Sequence, residues 1–438
     1  MNNDIIFALS SGQAKSGVAV IRISGENLRD IFSKFINKSD VKNRYAYFTN
    51  LCDDSGDLID QCLLVYFPAP NSFTGQDVIE IHTHGAPAVI EKTFEYLTSL
   101  GMRIATRGEF SKRAFFNNKM DLADVDGLAA LLDAQTDKQR KFALKSMLGG
   151  DSDVYNLWRT QMLEISAYAA AMLDYSPDDL PLNIGQTILA RVEKLHREIS
   201  AALDSYKVAR AIRGGINVVL VGETNVGKSS IFNYMVGANR AIVSDIAGTT
   251  RDVVSATIDV DGFLVNLNDT AGLRETDDEI ESIGIEKTKA EIENSDIIIR
   301  VYTPENIPLY RIDDTRIGPN PNIYVVNKID TSDCFDESFG INVSVKTGEG
   351  MQVLMNALRA TIHEMFDGAE AGVVVNTRTK SLLEQAEKEL NAALNVGDNY
   401  DLLAEHVRGA ADAIGKILGV ITATEVLDTT FGQLCLGK

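Results

Sequence analysis

One segment of the chain has the residue types and spacing of a phosphate-binding loop. Gly222-Glu-Thr-Asn-Val-Gly-Lys-Ser229 follows the pattern G-x-x-x-x-G-K-[ST], in which glycine permits a tight turn and backbone N–H groups surround the α- and β-phosphates of a nucleotide. Lys228 is placed to reach the β- and γ-phosphates, and the Ser229 hydroxyl is placed to ligate Mg²⁺. The loop therefore predicts a nucleotide site, but it does not select the base.

Three later segments complete the pattern of a guanine-nucleotide site, and one of them selects the base. They are Asp269-Thr-Ala-Gly272, Asn327-Lys-Ile-Asp330 and Ser344-Val-Lys346. The carboxylate of Asp330 can accept two hydrogen bonds from the N1–H and N2–H₂ edge of guanine, a pattern that adenine cannot offer. The sequence therefore predicts GTP or GDP as the ligand. The residues of these motifs predicted to bind it are Asn225, Val226, Gly227, Lys228, Ser229, Ser230, Asp269, Thr270, Ala271, Gly272, Asn327, Lys328, Asp330, Ser344 and Lys346.

Strand and helix patterns position these motifs. The apolar run Ile216-Asn-Val-Val-Leu-Val221 precedes the phosphate loop, and the helical pattern Ser230-Ile-Phe-Asn-Tyr-Met235 follows it. This is the strand–loop–helix context that the motif requires. The stretch from Val253 to Asn268 predicts a β-hairpin whose turn is Asp261-Gly262.

The predicted GTPase lacks one familiar catalytic residue. Small GTPases have a glutamine after Asp-Thr-Ala-Gly that orients the attacking water, whereas this chain has Leu273. The orienting group and the charge stabilisation must then come from elsewhere. Asn225 and the oxygen-rich loop Ser244-Asp-Ile-Ala-Gly-Thr-Thr250 could together hold a monovalent cation, and Glu281 could orient the water. On composition alone, an ordinary loop asparagine and a solvated helix acid are the better interpretations of Asn225 and Glu281.

Length and composition limit the class of protein. The 438 residues suggest about three domains, and 45% hydrophobic content with scattered charge fits a globular chain. The N-terminus has no basic region, and no apolar run approaches the roughly 18 residues of a membrane span, so we expect a cytoplasmic protein. The four cysteines are far apart and fit reduced thiols; they are Cys52, Cys62, Cys334 and Cys435.

The net charge of −20 argues against a general nucleic-acid binder. Three local basic clusters nevertheless occur, and each one is best interpreted as a solvated face balanced by nearby acids. The clusters are Arg103, Arg107, Lys112, Arg113 and Lys119; Lys138, Arg140, Lys141 and Lys145; and Lys207, Arg210 and Arg213. His82 and His84 alternate along one strand face, and a packed strand is favoured over a metal pair because two imidazoles lack further ligands.

Periodicity divides the chain into three predicted domains. Residues 1–118 mix strands with two helical stretches, and residues 214–368 alternate strand and helix around the nucleotide motifs. Residues 119–213 and 369–438 show helical periodicity, so we expect one discontinuous helical domain into which the nucleotide-binding domain is inserted. The clearest helical stripe is Ile188, Val192, Leu195, Ile199 and Leu203, and the clearest strands lie at 17–23, 61–67 and 77–84.

Together these motifs resemble the MnmE (TrmE) family of tRNA modification GTPases over essentially the whole chain. The resemblance rests on Asn71-Ser-Phe-Thr-Gly75, Gly108-Glu-Phe-Ser-Lys-Arg-Ala-Phe115, Asp245-Ile-Ala-Gly-Thr-Thr-Arg-Asp252 and the Cys-x-Gly-Lys end at 435–438. It implies an α/β multidomain protein. Its parts would be a mixed α/β N-terminal domain that binds folate and dimerises, a discontinuous α-helical domain, and an inserted Ras-like P-loop GTPase domain.

The function that the resemblance implies is K⁺-stimulated GTP hydrolysis in tRNA modification. The chain would form a homodimer and join an FAD-containing partner, MnmG (GidA), in a heterotetramer. Together they would install an aminomethyl or carboxymethylaminomethyl group at C5 of the wobble uridine, position 34, in certain tRNAs. The one-carbon unit would come from 5,10-methylenetetrahydrofolate or 5-formyltetrahydrofolate.

The resemblance also implies roles for individual residues. The implied folate-binding residues are Arg22, Glu80, Lys119 and Lys438. The acid would accept hydrogen bonds from the donor edge of the pterin, and the cations would bind the carboxylates of the glutamate tail. The implied metal ligands are Asn225, Ser244, Ile246 and Thr249 for K⁺, and Ser229 and Thr250 for Mg²⁺. The whole loop joins the GTP-binding set, with Ser244, Asp245, Ile246, Ala247, Gly248, Thr249 and Thr250. Glu281 would orient the water, and Cys435 corresponds to a tail cysteine with a proposed catalytic role.

Two other functions share parts of this pattern. A regulatory GTPase of ribosome assembly would have the same nucleotide motifs, but it would more plausibly carry a basic RNA-binding module, which this sequence lacks. A folate-binding protein with vestigial GTP hydrolysis is disfavoured because Lys228, Ser229, Asp269 and Asp330 are intact. Stimulation of hydrolysis by K⁺ over Na⁺ separates the leading interpretation from a regulatory GTPase.

Overall fold

The structure is a computed structural model. It describes residues 4–12, 14–174, 183–238, 241–242, 254–269, 291–307, 321–332, 338–366, 373, 376–420 and 437. The chain divides into two compact units. The first comprises Met1–Ala129, Lys145–His196 and Ser381–Lys438, and the second comprises Ala130–Leu144 and Arg197–Lys380. The division into three domains at 118, 213 and 368 stays a prediction.

A six-stranded sheet forms the N-terminal part of the first unit. Its strands are β1 (Ile6–Leu9), β2 (Ser16–Gly25), β3 (Tyr47–Cys52), β4 (Leu58–Phe67), β5 (Asp77–Gly85) and β6 (Arg103–Ile104). They are arranged in the order β3-β4-β5-β2-β1-β6, and all neighbours are antiparallel except β1 and β6. The strands predicted at 17–23, 61–67 and 77–84 are present as β2, β4 and β5.

One face of this sheet carries the apolar core because apolar and polar residues alternate along the strands. Ile21, Ile79 and Leu64 point into a core that is closed by helices α1 (Arg29–Ile36) and α2 (Pro87–Ser99). The other face is left for Arg22 and Glu80, which are directly opposite each other on β2 and β5. The pattern that builds the core therefore also places a charged pair on the opposite side of the sheet.

Helices α3 (Glu109–Phe116), α6 (Gly150–Asp174) and α12 (Tyr400–Leu418) lie in the first unit, and α4 (Leu122–Asp133) lies mostly in it. Helix α5 (Asp137–Met147) lies mostly in the second unit, and α7 (Ile184–Asp204) and α11 (Thr377–Leu394) each contribute residues to both units. Helices α6 and α12 pack along each other. In α7 the predicted stripe is buried at its first four positions, and Leu203 is half-buried. No helix in the described part of the chain is long and apolar enough to cross a membrane.

The second unit is built on a seven-stranded sheet. Its strands are β7 (Ile216–Val221), β8 (Ala241–Ile242), β9 (Val254–Val260), β10 (Phe263–Asp269), β11 (Ile297–Tyr302), β12 (Asn322–Val326) and β13 (Ile341–Asn342), in the order β13-β12-β11-β7-β10-β9-β8. Only β9 runs antiparallel to its neighbours, as one arm of the hairpin that turns at Asp261-Gly262. Helices α9 (Lys228–Ala238) and α10 (Met351–Phe366) share one core on one face of the sheet, and α8 (Tyr206–Gly214) lies beside β10.

This arrangement confirms the predicted fold class. A parallel sheet with helices packed on it is the architecture expected for a P-loop domain, because the loop must connect the carboxyl end of a strand to a helix. The first unit shows the predicted mixture of an antiparallel sheet with helices. The carboxyl ends of β7, β11 and β12 therefore meet at one edge of the second sheet, where the sequence motifs lie.

Candidate nucleotide and ligand sites

The phosphate loop lies between β7 and α9, as its motif requires. Two glycines are needed because other groups approach their Cα atoms closely. A Cβ on Gly222 would lie 2.3 Å from the carbonyl oxygen of Val301, and one on Gly227 would lie 2.2 Å from Nδ2 of Asn327. Asn225 adopts a left-handed conformation with φ 64°, which asparagine tolerates better than most residues. The loop is thus fixed against β11 and against the segment that reads the base.

Lys228 spans this loop from the first turn of α9. It is buried, and its Nζ donates hydrogen bonds to the carbonyl oxygens of Gly222, at 3.0 Å, and Glu223, at 2.8 Å. Ser229 and Ser230 are exposed beside it at the N-terminus of α9. The helix N-terminus and the lysine attract phosphate, and the exposed hydroxyls can ligate a hard cation such as Mg²⁺. These residues therefore have the chemistry that their motif predicts.

Two residues of the Asn-Lys-Ile-Asp motif hold the phosphate loop in place. Asn327 is buried, and its Nδ2 donates to the carbonyl oxygen of Val226 at 2.8 Å. Lys328 donates from Nζ to the carbonyl oxygen of Asn225 at 2.6 Å. The segment after β12 is therefore joined to the loop by two hydrogen bonds, so that the base-reading and phosphate-binding parts form one site.

Asp330 presents an ionised carboxylate at the end of this segment. The Ser344 hydroxyl donates to Oδ1 at 2.7 Å, and Nζ of Lys346 lies 3.8 Å from Oδ2. The hydrogen bond from Ser344, followed by the charge of Lys346, holds the pKa of Asp330 below its ordinary value. An ionised carboxylate can only accept hydrogen bonds, which suits the donor edge of guanine. The Asn-Lys-x-Asp and Ser-x-Lys motifs thus meet at this carboxylate.

The part of the predicted site nearest to the γ-phosphate is only partly described. Asp269 ends β10 and is buried. The predicted residues Ser244 to Thr250, Thr270 to Gly272, and Glu281 lie outside the described residues, as does Leu273. The predicted K⁺ ligands other than Asn225, the Mg²⁺ ligand Thr250 and the water-orienting role of Glu281 therefore stay predictions.

A second group of predicted residues meets on the sheet of the first unit. Arg22 donates from Nε, at 3.1 Å, and from Nη2, at 2.9 Å, to Oε1 of Glu80. His82 lies on the other side of the carboxylate, with Nε2 at 3.3 Å from Oε2. The hydrogen bond with His82, followed by the charge of Arg22, holds the pKa of Glu80 below its ordinary value. Glu80 is thus an ionised acceptor fixed between two nitrogen donors.

Two aromatic rings border this pair. The Arg22 guanidinium carbon lies 5.3 Å from the ring centre of Phe73 and 6.0 Å from that of Phe110. Lys119 is exposed, and its Cγ would lie 3.2 Å from a Cβ on Gly75, so it stands next to the Asn71–Gly75 segment. That segment therefore connects Phe73, beside Arg22, with Lys119. Planar rings, a carboxylate and a nearby lysine fit a flat heterocycle that carries a carboxylate tail.

The C-terminal tail reaches the same pair. The carbonyl oxygen of Gly437 accepts hydrogen bonds from Oγ of Ser10, at 3.0 Å, and from Nη1 of Arg22, at 3.4 Å. Gly437 has a φ of 89°, and a Cβ there would lie 2.4 Å from the carbonyl oxygen of Leu9, so glycine is required. The predicted residues Cys435 and Lys438 lie outside the described residues, and the contact with Arg22 is made by the carbonyl oxygen of Gly437 alone.

Sequence reasoning assigned no role to several residues of this second site. They are Ser10, Phe73, His82, Phe110 and Gly437. Phe73 and Phe110 lie inside the motifs Asn71–Gly75 and Gly108–Phe115, and Gly437 lies inside the Cys-x-Gly-Lys end. The motifs therefore include these residues, but motif spacing does not predict that they contact Arg22. The sequence predicts a packed strand for His82, which does lie in β5, and the structure adds its hydrogen bond with Glu80.

The first basic cluster is more buried than the sequence suggests. Arg113 is buried and donates to Asp4, Glu109 and Gln76, so the expected solvated face is wrong for this residue. Arg103 is half-exposed and pairs with the same two acids, as expected. Burial raises the pKa of Glu109, but the hydrogen bonds from Arg103 and from the Thr106 backbone outweigh it and bring the pKa to about 2. Among the described residues, no His, Cys, Asp or Glu group has the arrangement of a metal centre, and His84 pairs with Asp60 instead.

Comparison with known proteins finds similarity over the whole chain. A family model described as the MnmE helical domain matches residues 122–435, and one described as the GTP-binding protein TrmE N-terminus matches residues 5–119. The chain is 38% identical to the tRNA modification GTPase MnmE of Brucella anthropi, with 99% of this chain and 98% of that protein covered. It is 36% identical to the tRNA modification GTPase MnmE of Rhizobium etli, with 100% of both covered. Among solved structures, Era of Aquifex aeolicus bound to GDP·AlF₄⁻ matches at 22% identity and a TM-score of 0.27, over 40% of this chain and 66% of that one.

Proposed function

Because this chain belongs to the MnmE family of tRNA modification GTPases, we propose that it hydrolyses GTP to drive modification of C5 of the wobble uridine, position 34, in certain tRNAs. One observation carries the nucleotide part of the proposal. The Asp330 carboxylate, held by Ser344, is tied through Asn327 and Lys328 to the phosphate loop. That geometry supports GTP over ATP, because only guanine offers two donors to the carboxylate.

The phosphate part of the site acts through charge and position. When a nucleotide binds, Lys228 would exchange the carbonyl oxygens of Gly222 and Glu223 for oxygens of the β- and γ-phosphates. The Ser229 hydroxyl, at the N-terminus of α9, would hold Mg²⁺, which neutralises phosphate charge in the transition state. Asp269, at the end of β10, would border the γ-phosphate side.

We further propose that K⁺ supplies the positive charge that stabilises the transition state of GTP hydrolysis, as an arginine finger does in small GTPases. Asn225 stands in the phosphate loop with its side chain exposed, which supports its role as one ligand of that ion. Ser244, Ile246 and Thr249 would complete the set, and Glu281 would orient the attacking water. Because the side chain of Leu273 has no polar group, it would not orient the attacking water.

The first unit would hold the one-carbon donor. Glu80 would accept hydrogen bonds from the pterin, the rings of Phe73 and Phe110 would pack beside it, and Lys119 and Lys438 would meet its glutamate tail. A tetrahydrofolate such as the 5,10-methylene or 5-formyl derivative supplies a carbon at a formaldehyde or formate oxidation level. The chain's own contribution is to bind and orient it, with Arg22 and His82 keeping Glu80 ionised. Cys435 would act from the tail that Gly437 anchors.

We propose that the active protein is a homodimer that joins an FAD-containing partner, MnmG, in a heterotetramer in the cytoplasm. A row of neighbouring side chains on the polar face of the first sheet supports the dimer; it consists of Phe48, Leu63, His82 and Val20 in register across β3, β4, β5 and β2. Phe48 is 68% exposed and Leu63 is 40% exposed. Large apolar groups beside a ligand site favour contact with another protein surface, and a second copy would bring its own ligand site to the same place.

Steady-state hydrolysis by the purified chain tests the GTPase part. GTP and ATP are compared in K⁺ and in Na⁺ at equal ionic strength, with Mg²⁺ present throughout. The proposal expects turnover of GTP alone and a rate in K⁺ at least about tenfold above that in Na⁺, which corresponds to at least about 1.4 kcal/mol of transition-state stabilisation by the ion. Equal rates in the two salts would remove the ion mechanism and favour a regulatory GTPase that needs an external activator.

Ligand binding tests the one-carbon part independently. We expect 5-formyltetrahydrofolate to bind the wild-type chain and to lose at least about tenfold in affinity with Glu80→Gln, because the neutral amide replaces one acceptor oxygen with a donor. GTP hydrolysis should be unchanged in this variant. Equal affinity in both proteins would show that Glu80 does not read the pterin.

A further inference from the structure

The phosphate loop contains a carboxylate that the nucleotide motifs do not use. Glu223 follows Gly222 directly, in the part of the loop that turns away from β7, and it is exposed. Its Oε2 accepts a hydrogen bond from Nδ2 of Asn306 at 2.9 Å. The carboxylate is therefore held at one place beside the loop instead of moving freely in solvent.

Asn306 is itself fixed by the turn after β11. It is the last residue of the 3₁₀ turn Pro304–Asn306, and its Oδ1 accepts from the backbone N–H of Thr303 at 2.7 Å and from the Thr303 hydroxyl at 3.2 Å. Both ends of the amide are thus committed, with the oxygen to Thr303 and the nitrogen to Glu223. Since the carbonyl oxygen of Val301, at the same end of β11, also lies close to Gly222, this end of the strand and its turn contact the first part of the loop at two points.

A fixed negative charge at this position opposes the ligand of the loop. The loop binds phosphates by presenting N–H groups and the Lys228 ammonium, whereas the Glu223 carboxylate repels the same phosphates. The repulsion is larger for a triphosphate than for a diphosphate because the triphosphate carries more charge. It acts through solvent near the surface, so it must weaken as salt is added.

We propose that Glu223 sets the nucleotide affinity of this chain, lowering it for GTP more than for GDP, and that Asn306 is the residue that positions it. This inference rests on the proposed function, since it concerns the same phosphate site.

Binding of fluorescent GTP and GDP derivatives to the full-length chain tests the proposal. Glu223→Gln keeps an acceptor for Asn306 but removes the charge, and Glu223→Lys reverses it. We expect affinity for GTP to rise in the order wild type, Gln, Lys, with about a threefold to tenfold gain for Gln at low salt and a smaller gain for GDP. Glu364→Gln and Glu364→Lys, at an exposed position of α10, are the matched controls for net charge and should change affinity less than twofold.

The positioning role of Asn306 is tested by a double-mutant cycle. Asn306→Ala should raise GTP affinity about twofold in the wild-type chain, because the freed carboxylate moves into solvent, and should have no effect on top of Glu223→Gln. Equal effects in both backgrounds would assign Asn306 a structural role only. The gain from Glu223→Gln should shrink towards onefold near 1 M KCl. A gain that persists there, or no gain at low salt, overturns the inference while leaving the GTPase intact. Failure of the wild-type chain to bind GTP at all overturns the proposed function as well.

Discussion

The Lys138 ammonium lies 3.6 Å from the ring centre of Phe263, directly over the first residue of β10. Burial lowers the pKa of Lys138, against the opposing charges of Asp261 and Asp259, so the ammonium is partly removed from water. Phe263 also stacks on Phe366 of α10 at 5.4 Å. The hairpin turn is therefore held between α5 and α10. The arms of this hairpin lead from the predicted cation loop to Asp269, so Lys138 contacts the element that joins both nucleotide-sensing segments.

Loss of the charge on Lys138 should loosen the hairpin. Lys138→Met keeps the apolar stem and removes the cation, and we expect it to destabilise the second unit by about 1 kcal/mol. Faster amide hydrogen exchange at residues 260–264 would report the effect locally. Lys141→Met, at an exposed position of the same helix, is the control and should cost less than about 0.5 kcal/mol. Unchanged exchange in the Lys138 variant would mean that the cation contributes nothing to holding the turn.

Asp330 should control which base is accepted. In Asp330→Asn the amide presents a donor where the carboxylate presents an acceptor, so one hydrogen bond to guanine becomes a donor–donor clash. We expect GTP affinity to fall at least about a hundredfold, since the guanine edge would face a donor in place of its acceptor. Xanthosine triphosphate, which has an acceptor at that edge, should bind better than GTP. Competition binding of the two nucleotides measures the switch.

Ser344→Ala provides the graded comparison for Asp330. It removes the hydroxyl that donates to Oδ1 but leaves the carboxylate, so GTP affinity should fall only about threefold to tenfold with no change of base preference. A variant at 330 that lost GTP without gaining xanthosine triphosphate would show that the carboxylate supports the fold of the loop and does not read the base.

Gly437 should control ligand binding in the first unit from the far end of the chain. Gly437→Ala places a Cβ against the Leu9 carbonyl and forces a left-handed φ on alanine, so the tail should leave Ser10 and Arg22. We expect affinity for 5-formyltetrahydrofolate to fall at least about fivefold, measured by titration calorimetry, while GTP hydrolysis stays within twofold. Gly17→Ala, in β2, meets open space and is the control. Equal loss in both variants would contradict a specific role for the tail.

The sequence predicts what depends on local spacing. The strand and helix patterns around Lys228 predict the position of the phosphate loop, because the motif lies between one strand end and the helix that follows it. Asp330 and Ser344 belong to two separate predicted motifs, and the hydrogen bond between them is seen only in the structure. The helical stripe from Ile188 to Ile199 was also readable, since its four- and three-residue steps need no knowledge of the partner surface.

Local spacing in the sequence does not predict contacts between segments that are far apart along the chain. Ser10 and Gly437 are 427 positions apart, and Glu223 and Asn306 are 83 apart, so neither pair has a local pattern. The charged neighbours of Arg113 in sequence predict a solvated face, but Asp4, which accepts its hydrogen bond, lies 109 positions away. The packing of the sheet and helices decides which charged side chains pair, and local spacing in a single sequence does not reveal that packing.

A capping network at the start of α4 makes the stability of the first unit depend on pH. The Asp121 carboxylate accepts from the backbone N–H groups of Ala123 and Asp124, and Ser152 donates to both Asp121 and Asp124. Burial, followed by the charges of Asp121 and then Asp151, raises the pKa of Asp124 to about 6. At neutral pH the folded chain must therefore keep a charged carboxylate among other acids.

The sign of the effect follows from the two pKa values of Asp124. The folded value is raised, so stability from this group is fully present below the ordinary value of 3.8 and is lost as pH rises through about 6. Asp124→Asn removes the charge but keeps an oxygen for Ser152. Because the group is partly exposed, we expect the variant to be more stable by only about 1 kcal/mol near pH 8, or roughly 2–4 °C in Tm.

The comparison across pH identifies the cause of this gain. Near pH 4 the folded carboxyl is protonated and that of the unfolded chain is close to its own pKa, so the advantage of Asp124→Asn should shrink to less than half of its value near pH 8. Thermal unfolding at both pH values measures it, with Asp133→Asn, exposed at the other end of α4, as the control that should show no pH-dependent difference. An advantage of equal size at both pH values would mean that the asparagine packs better and that the charge of Asp124 costs the folded chain nothing.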